Sequence, residues 1–362
     1  QYCRTLSVIQ SQDFGCSRLQ KFLTQVFLLL PWTPPISSVP YGEGQIASEL
    51  RRLTSGICYD VALWVTARHA VYTKVIKAQR HVVDFIDSPT LHFQRQVTGS
   101  LLHWPVVLQA YEVWKMRHWE AGLLRRMTAC LYISPVDANA VPSKATTGCF
   151  PYIIPNGVSV DHYTPRVDRR MRSPSIGFLG NMGYPPNIEA VHWLYKHVFL
   201  PVRKELPDLT LYVIGRLPDD SILSLGTQEG VVVTGEVEEL WPYINGVEVF
   251  VFPLWKGTGV KNKVLEAMYA RRPIVASPIA VEGVEGLPGR DLLVCETQQD
   301  FVQAVLHLLR SPVIRKDLGE SAHRLVTDKF SWHQVLRDFE SILIGRDKTD
   351  TTDSNLELRK SG

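Results

Sequence analysis

The sequence lacks any apolar run near the ~20 residues that a membrane-spanning helix needs. Its longest candidate, residues 22–30, is broken by Thr24 and Gln25 and stopped by Pro31, which excludes such a span. No signal peptide is visible, and the chain opens on Gln1 rather than Met, so its true start is expected upstream. Paired cysteines are missing too. Cys3, Cys16, Cys58, Cys130, Cys149 and Cys295 form no C-x-x-C and stand beside no His at metal-ligand distance, which argues against a disulfide scaffold or a zinc site and for a reducing cytoplasm. Cys58 and Cys130 fall in apolar runs that read as strands. Disorder and fibre are excluded by a composition that is 45% hydrophobic and 21% charged.

What is there points to two domains, since 362 residues exceed one ordinary core. The formal net charge of +3 is unevenly spread: residues 1–160 carry 15 Lys and Arg against 9 Asp and Glu, and the remainder 24 against 27. A basic first half fits either an anionic partner, such as a membrane surface, or ordinary solvated charge.

Strand-like and helix-like runs alternate, the pattern of parallel sheets with crossover helices. In the first half, strands are predicted over 59–65, 81–86, 129–134 and 151–155, with helical stretches at 70–77 and 105–127. A polar, arginine-rich stretch over 161–174 reads as a linker. A second series then begins, with strands at 175–179, 209–214, 231–234, 247–252 and 273–277 and a short one at 291–294. Its helices are predicted at 188–205, 238–244, 260–270, 299–310, 315–327 and 332–344. Domains are therefore expected over 1–165 and 166–345, with a disordered polar tail over 346–362. The fold class is α/β, two doubly wound units with a ligand-binding cleft between them.

The most informative stretch is Pro253-Leu254-Trp255-Lys256-Gly257-Thr258-Gly259-Val260-Lys261-Asn262-Lys263-Val264-Leu265-Glu266-Ala267-Met268. An apolar strand enters a glycine-flanked loop that opens a helix carrying Lys261 and Lys263 at its start. Glycines admit close approach of a ligand, and the helix start offers free N–H groups and the positive dipole end to an anion. The dipole contributes only ~0.3–1 kcal/mol when exposed, so a diphosphate would need the two lysines as point charges. The alternative is an ordinary strand-to-helix turn with solvated lysines. Glu266, three residues after Lys263, either pairs with it along the helix or accepts hydrogen bonds from sugar hydroxyls.

These residues, followed by Arg272-Pro273-Ile274-Val275-Ala276-Ser277, resemble the nucleotide-sugar signature of glycosyltransferase family 4, a family of retaining, metal-independent enzymes with the two-Rossmann-domain GT-B fold. Further matches follow in order: Gly180-Asn181-Met182 with Pro186-Asn187, Val213-Ile214-Gly215, Val233-Thr234-Gly235-Glu236-Val237, Pro155-Asn156-Gly157-Val158, and Asp84-Phe85-Ile86-Asp87-Ser88, the last as in sugar transferases of exopolysaccharide clusters. The resemblance is strong over 175–343, weaker over 59–160 and nearly absent before that, which implies that the chain begins partway into an incomplete first domain.

The resemblance implies a donor site. Glu266 would hold the ribose hydroxyls, while Gly257, Thr258 and Gly259 would meet the donor sugar and diphosphate. Lys261 and Lys263 would neutralise the departing nucleotide, with Arg216 a weaker helper. Gly180, Asn181 and Met182 would lie beneath the phosphates. Gly215 would end its strand beside them, and Gly235 and Val237 would face the base. A donor phosphate oxygen would take the acceptor proton on the face of departure, so rate enhancement would come from positioning and charge stabilisation. Two departures stand out: Thr258 replaces the first glutamate of the family motif, and the usual Arg and Lys after the first donor-domain strand are absent.

Asp87 either orients the acceptor or donor sugar or caps the segment after it. His81, His92, His103 and His118 lack metal spacing and read as surface or satisfied groups. The stretch 104–126, with Trp104, Trp114, Trp119, Lys115, Arg117, Arg125 and Arg126, either lies on a membrane or packs its tryptophans inward. The expected function is transfer of a sugar from a UDP-, GDP- or dTDP-sugar to a glycan or lipid-linked hydroxyl in exopolysaccharide or surface-glycan assembly. No metal or other cofactor and no nucleic acid are expected, and the place is the cytoplasm, with peripheral contact to an anionic membrane. The alternatives are a non-catalytic nucleotide-sugar-binding remnant and a sugar-nucleotide epimerase of the same fold.

Overall fold

A computed structural model describes residue 35 and residues 43–97, 104–141, 149, 151–158 and 163–346. The expected disordered tail beyond residue 346, Cys3, Cys16, His103 and the first residues of the expected linker lie outside this set.

The chain divides into two compact units, one built from residues up to Ile154 together with those from Arg337 onward, the other from Pro155–Leu336. The sequence reading places the boundary at 165/166. It moves because the arginine-rich stretch is bound to the second unit and does not act as a free linker. Asn245 Nδ2 donates to the carbonyls of Thr164 (2.6 Å) and Arg166 (3.1 Å), Arg166 pairs with Glu239 at 2.8 Å, and the Tyr163 ring meets Trp241 and Tyr269 edge-on.

In the first unit, β1 (Tyr59–Val65), β2 (Ala78–Ile86), β3 (Ala129–Tyr132) and β4 (Pro151–Ile153) form a parallel sheet in the order β1-β2-β3-β4. Helices α1 (Glu43–Leu53), α2 (Pro89–Gln96), α3 (Trp104–Leu124) and α4 (Pro135–Ala138) complete the elements before the second unit. The β3 run Ala-Cys-Leu-Tyr is buried throughout, as a strand covered on both faces must be. On one face Trp64, Val83, Phe85, Cys130 and Tyr132 meet Leu123 and Leu124, and on the other Val82, Ala129 and Leu131 meet Ile342, Phe339 and Leu343. Cys58 differs from expectation. It precedes β1 and is exposed, outside the apolar run that begins at Tyr59.

In the second unit, β5 (Ser175–Leu179), β6 (Thr210–Ile214), β7 (Val231–Val233), β8 (Val249–Phe252), β9 (Ile274–Ala276) and β10 (Leu293–Val294) are parallel in the order β10-β9-β8-β5-β6-β7. The order reverses at β5, whose neighbours are β8 and β6, giving the doubly wound topology with its switch point between β5 and β8. The crossovers carry α5 (Pro185–Leu194), α6 (Leu200–Glu205), α7 (Asp220–Leu225), α8 (Trp241–Gly246) and α9 (Asn262–Tyr269). After β10 come α10 (Gln298–Arg310), α11 (Pro312–Lys329) and α12 (Trp332–Leu343), the last belonging from Arg337 onward to the first unit. The single helix predicted over 188–205 is divided by a π-helical turn, Tyr195–Phe199. Pro201, which has no N–H to donate, stands at the start of α6 where the register resumes.

Candidate functional site

Four of the expected segments converge on the carboxyl edge of the second sheet. Gly180 follows β5, Gly215 follows β6, Gly235 lies just past β7, and residues 253–261 lead from β8 into α9. The chain paths at the first two are forced close together. Gly215 has φ of +142°, and a Cβ there would stand 1.8 Å from the Gly180 carbonyl oxygen, so only glycine fits. The adjoining ladder closes with Gly180 N–H donating to the Ile214 carbonyl (3.0 Å) and Met182 N–H to the Arg216 carbonyl (2.8 Å).

Lys263 is the centre of this arrangement. Its position in the first turn of α9 aims it across the switch point at α5, where Nζ donates to Asn187 Oδ1 at 2.5 Å. The same nitrogen lies 4.7 Å from the ring centre of Phe178 on β5 and 5.9 Å from that of Phe252 on β8. Burial among these rings, helped by the like charge of Lys261, pulls the ammonium down to about 7. Asn187 is itself buried and donates through Nδ2 to the Asn181 carbonyl at 2.8 Å.

Glu266, one turn further along α9, is half-buried, and among the described residues its carboxylate meets no hydrogen-bond donor or cation. Burial raises its carboxyl above the ordinary range. The helical ion pair that the three-residue spacing allows does not form, because Lys263 reaches Asn187 instead. Lys261 folds back on its own loop, donating to the carbonyls of Thr258 (3.0 Å) and Gly259. That loop turns through Gly257 (φ +122°) and Gly259 (φ +69°), conformations closed to most side chains. It is also held in place: Lys256 pairs with Glu189 of α5 at 3.0 Å, Trp255 packs edge-on against Trp193 and Phe301, and Ser277 Oγ donates to the Leu254 carbonyl.

The remaining residues divide by what they can offer. The Met182 side chain is fully buried in the core, so it presents backbone only. Asn181 turns its Oδ1 onto the Gly183 N–H at 3.0 Å. Arg216 is exposed, with no side-chain partner among the described residues. Gly235 has φ of +64° and open space around the position of a Cβ, and Val237 is half-buried nearby in sequence. Asp87 belongs to the first unit, right after β2, whose last residue Ile86 has φ of +63°. It does not cap α2. Ser88 does, its Oγ accepting from the Leu91 N–H at 3.3 Å.

The bond between Asn187 and Lys263 and the Phe178–Phe252 ring pair are the parts of the arrangement that the sequence does not show. A proline-preceded Asn was visible at 187, but nothing local pairs it with a lysine 76 residues away. Among the described residues no group of three or more His, Cys, Asp and Glu could hold a metal, and no helix is long and apolar enough to cross a membrane. In α3, Trp119 packs toward the first unit's core, as the inward-packing expectation has it, while Trp114 is exposed and stacks on Tyr111.

Residues 173–311 match the family model described as Glycosyl transferases group 1. Over 190 residues the chain is 23% identical to a 44.6 kDa protein of the cps region of Klebsiella pneumoniae, a match covering 50% of this chain and 49% of that relative. The chain thus spans about half the length of this relative. Among solved structures it is similar to sucrose-phosphate synthase from Thermosynechococcus elongatus, with a TM-score of 0.64 and 15% identity over 83% of this chain and 76% of that one. It is also similar to Anabaena HepE in complex with UDP-glucose, with a TM-score of 0.59 and 13% identity over 84% of each chain. The parallel α/β architecture is the GT-B fold, and the segment 173–311 is similar to the glycosyl transferases group 1 family.

Proposed function

We propose that this chain transfers a sugar from a nucleotide-diphosphate donor to a hydroxyl of a glycan or lipid-linked acceptor, with retention of anomeric configuration. The observation that carries the reading is the Lys263 ammonium, half-buried over the switch point where doubly wound sheets bind phosphates, beside the start of α9. An ammonium held at a pKa of about 7 by burial gains a partner when a dianionic diphosphate arrives, and is then stabilised as the cation. Lys261, released from the Thr258 and Gly259 carbonyls, adds a second charge, and exposed Arg216 a third. Glu266, whose carboxylate has no partner among the described residues, accepts from two donor hydroxyls. Gly235 and Val237 face the base, and Gly257 to Gly259 leave room for the sugar.

In the transfer step the bond from the anomeric carbon to the diphosphate oxygen breaks while the acceptor oxygen bonds to that carbon on the same face. The acceptor proton passes to a donor phosphate oxygen. The lysines stabilise the negative charge that develops on the leaving diphosphate, the role assigned elsewhere to preorganised cations. We assign charge stabilisation to these side chains and no cofactor. The first unit takes the acceptor, with Asp87 its candidate polar group. Exposed Trp114 and the exposed Arg117, Arg125 and Arg126 support peripheral contact with an anionic membrane on the cytoplasmic side. The cps-region relative supports a setting in surface-polysaccharide assembly.

Product analysis tests the reading. The chain is incubated with a panel of UDP-, GDP- and dTDP-sugars and lipid-extract or oligosaccharide acceptors. Sugar transferred with its anomeric configuration kept supports it. An epimerised donor, or no turnover by a folded chain that binds donor, refutes it in favour of the epimerase or the binding remnant.

A further inference from the structure

Asn187 does more than finish a loop. Its amide bridges two groups: Nδ2 donates to the Asn181 carbonyl (2.8 Å), and Oδ1 accepts from Lys263 Nζ (2.5 Å). It sits in the first turn of α5, is 5% exposed, and is fixed there by its own N–H on the Tyr184 carbonyl at 2.9 Å. Gly180 makes room for the bridge. A Cβ on Gly180 would stand 2.9 Å from Asn187 Nδ2 and 3.4 Å from Lys263 Nζ. Among the described residues a neutral amide oxygen is thus the single side-chain oxygen that Lys263 meets, and it arrives from a different crossover of the sheet.

We propose that Asn187 is a positioning residue for the donor diphosphate: it holds the Lys263 ammonium at the switch point by a neutral hydrogen bond, so that the cation remains available to an incoming anion. The inference rests on the donor-site reading above. A carboxylate at 187 would form an ion pair with the ammonium and compete with the ligand, whereas an apolar side chain would leave the ammonium without an acceptor and favour its neutral form. The charged group acting on Lys263 is Lys261, from the approach to α9. Phe178 on β5, Phe252 on β8 and Asn187 on α5 bring no charge, and Glu266, on the same helix, does not pair with it.

The test uses the full chain and intact nucleotide-sugars (UDP-glucose, GDP-mannose and dTDP-glucose), whose esterified diphosphates do not titrate near neutrality. Affinity is measured by calorimetry from pH 6 to pH 9 for the wild type, Asn187→Asp, Asn187→Leu and Lys263→Ala, with folding checked by circular dichroism. Wild-type affinity falls as the pH rises through the Lys263 midpoint. Asn187→Leu binds about tenfold more weakly at neutral pH, the size of one hydrogen bond to a charged group, and its midpoint moves down. In Asn187→Asp the midpoint moves up while affinity below it is reduced. Both substitutions lose the Asn181 contact, so opposite movements of the midpoint separate an effect on Lys263 from a mere loosening of the loop. If both variants weaken binding equally at every pH, or neither changes it while Lys263→Ala abolishes it, the role of Asn187 is overturned and the donor site stands. If Lys263→Ala binds as the wild type does, or no nucleotide-sugar binds the wild type, the donor-site reading itself fails and the inference with it. Should Asn187→Leu not fold, the upward movement in Asn187→Asp decides alone.

Discussion

Replacing Lys263 by Met should make the unliganded protein more stable near neutral pH while removing its affinity for nucleotide-sugars. In the folded chain the ammonium is held at about 7, against 10.5 for an ordinary lysine. At roughly 1.4 kcal/mol per tenfold change in proton affinity, burying the charge costs ~5 kcal/mol. Because the folded pKa is the lower one, the unfolded chain binds more protons between about pH 7 and 10.5, and stability rises with pH across that window. The penalty is fully present below it. Met keeps the ring contacts of the stem but leaves Asn187 Oδ1 without its donor, a loss of ~1–3 kcal/mol that offsets part of the gain. A net gain of ~2–4 kcal/mol remains, or roughly 4–16 °C in the melting temperature for a unit of this size. Thermal unfolding at pH 6.5, 8 and 9.5 measures it. The advantage of the variant should shrink as the pH rises and reverse near the top of the range. A variant that melts below the wild type at pH 6.5, by a margin that does not change with pH, would refute the assignment of Lys263 as a buried, disfavoured cation.

Glu266→Gln should weaken nucleotide-sugar binding by roughly 10- to 100-fold, measured by calorimetry. Burial holds its carboxyl above the ordinary 4.5, so the folded state binds the extra proton and stability falls as the pH rises through that interval. The amide should therefore melt higher than the wild type at neutral pH. Gly215→Ala would set a methyl 1.8 Å from the Gly180 oxygen at a φ of +142°, and should cost more than about 4 kcal/mol or prevent folding, seen by circular dichroism and solubility. In the first unit, Glu120→Ala strips an acceptor from Ser88 Oγ, the Thr90 N–H and Tyr132 OH, all buried, and should lower stability by about 3 kcal/mol in denaturant titration. Trp114→Ser should reduce co-sedimentation with anionic vesicles and leave nucleotide-sugar affinity unchanged. Equal sedimentation of variant and wild type would remove α3 from the membrane reading.

Most strands of the second unit could be read from the sequence because each is buried on both faces and so appears as an unbroken apolar run between turn residues; β5 and β6 are buried at every position. The short helices were harder. α2 and α4 hold eight and four residues, too few for a helical period to show, although Ser88-Pro89 and Ser134-Pro135 carry the capping serine and first-turn proline that start them. α1 was missed for a different reason: Ile46, Ala47, Leu50 and Leu53 do stand at helical spacing, and the first three pack on the core, but this stripe is short and set among polar residues. The glycines of the site were legible because their backbone geometry is local. The state of Lys263 was not. Spacing along α9 allowed Glu266 as one of its partners, whereas the order of strands in the sheet supplies Asn187 and two aromatic rings. The arginine-rich stretch misled in the same way, since its attachment to Asn245 and Trp241 is a tertiary contact.

The central claim is that the carboxyl edge of the second sheet binds a nucleotide-sugar through Lys263. Calorimetric titration of the wild type and Lys263→Ala with UDP-, GDP- and dTDP-sugars, without added metal, tests it most directly. The account predicts saturable binding of one of the three by the wild type and loss of that binding in the variant. Binding that survives the substitution, or none in a chain shown to be folded, would contradict it.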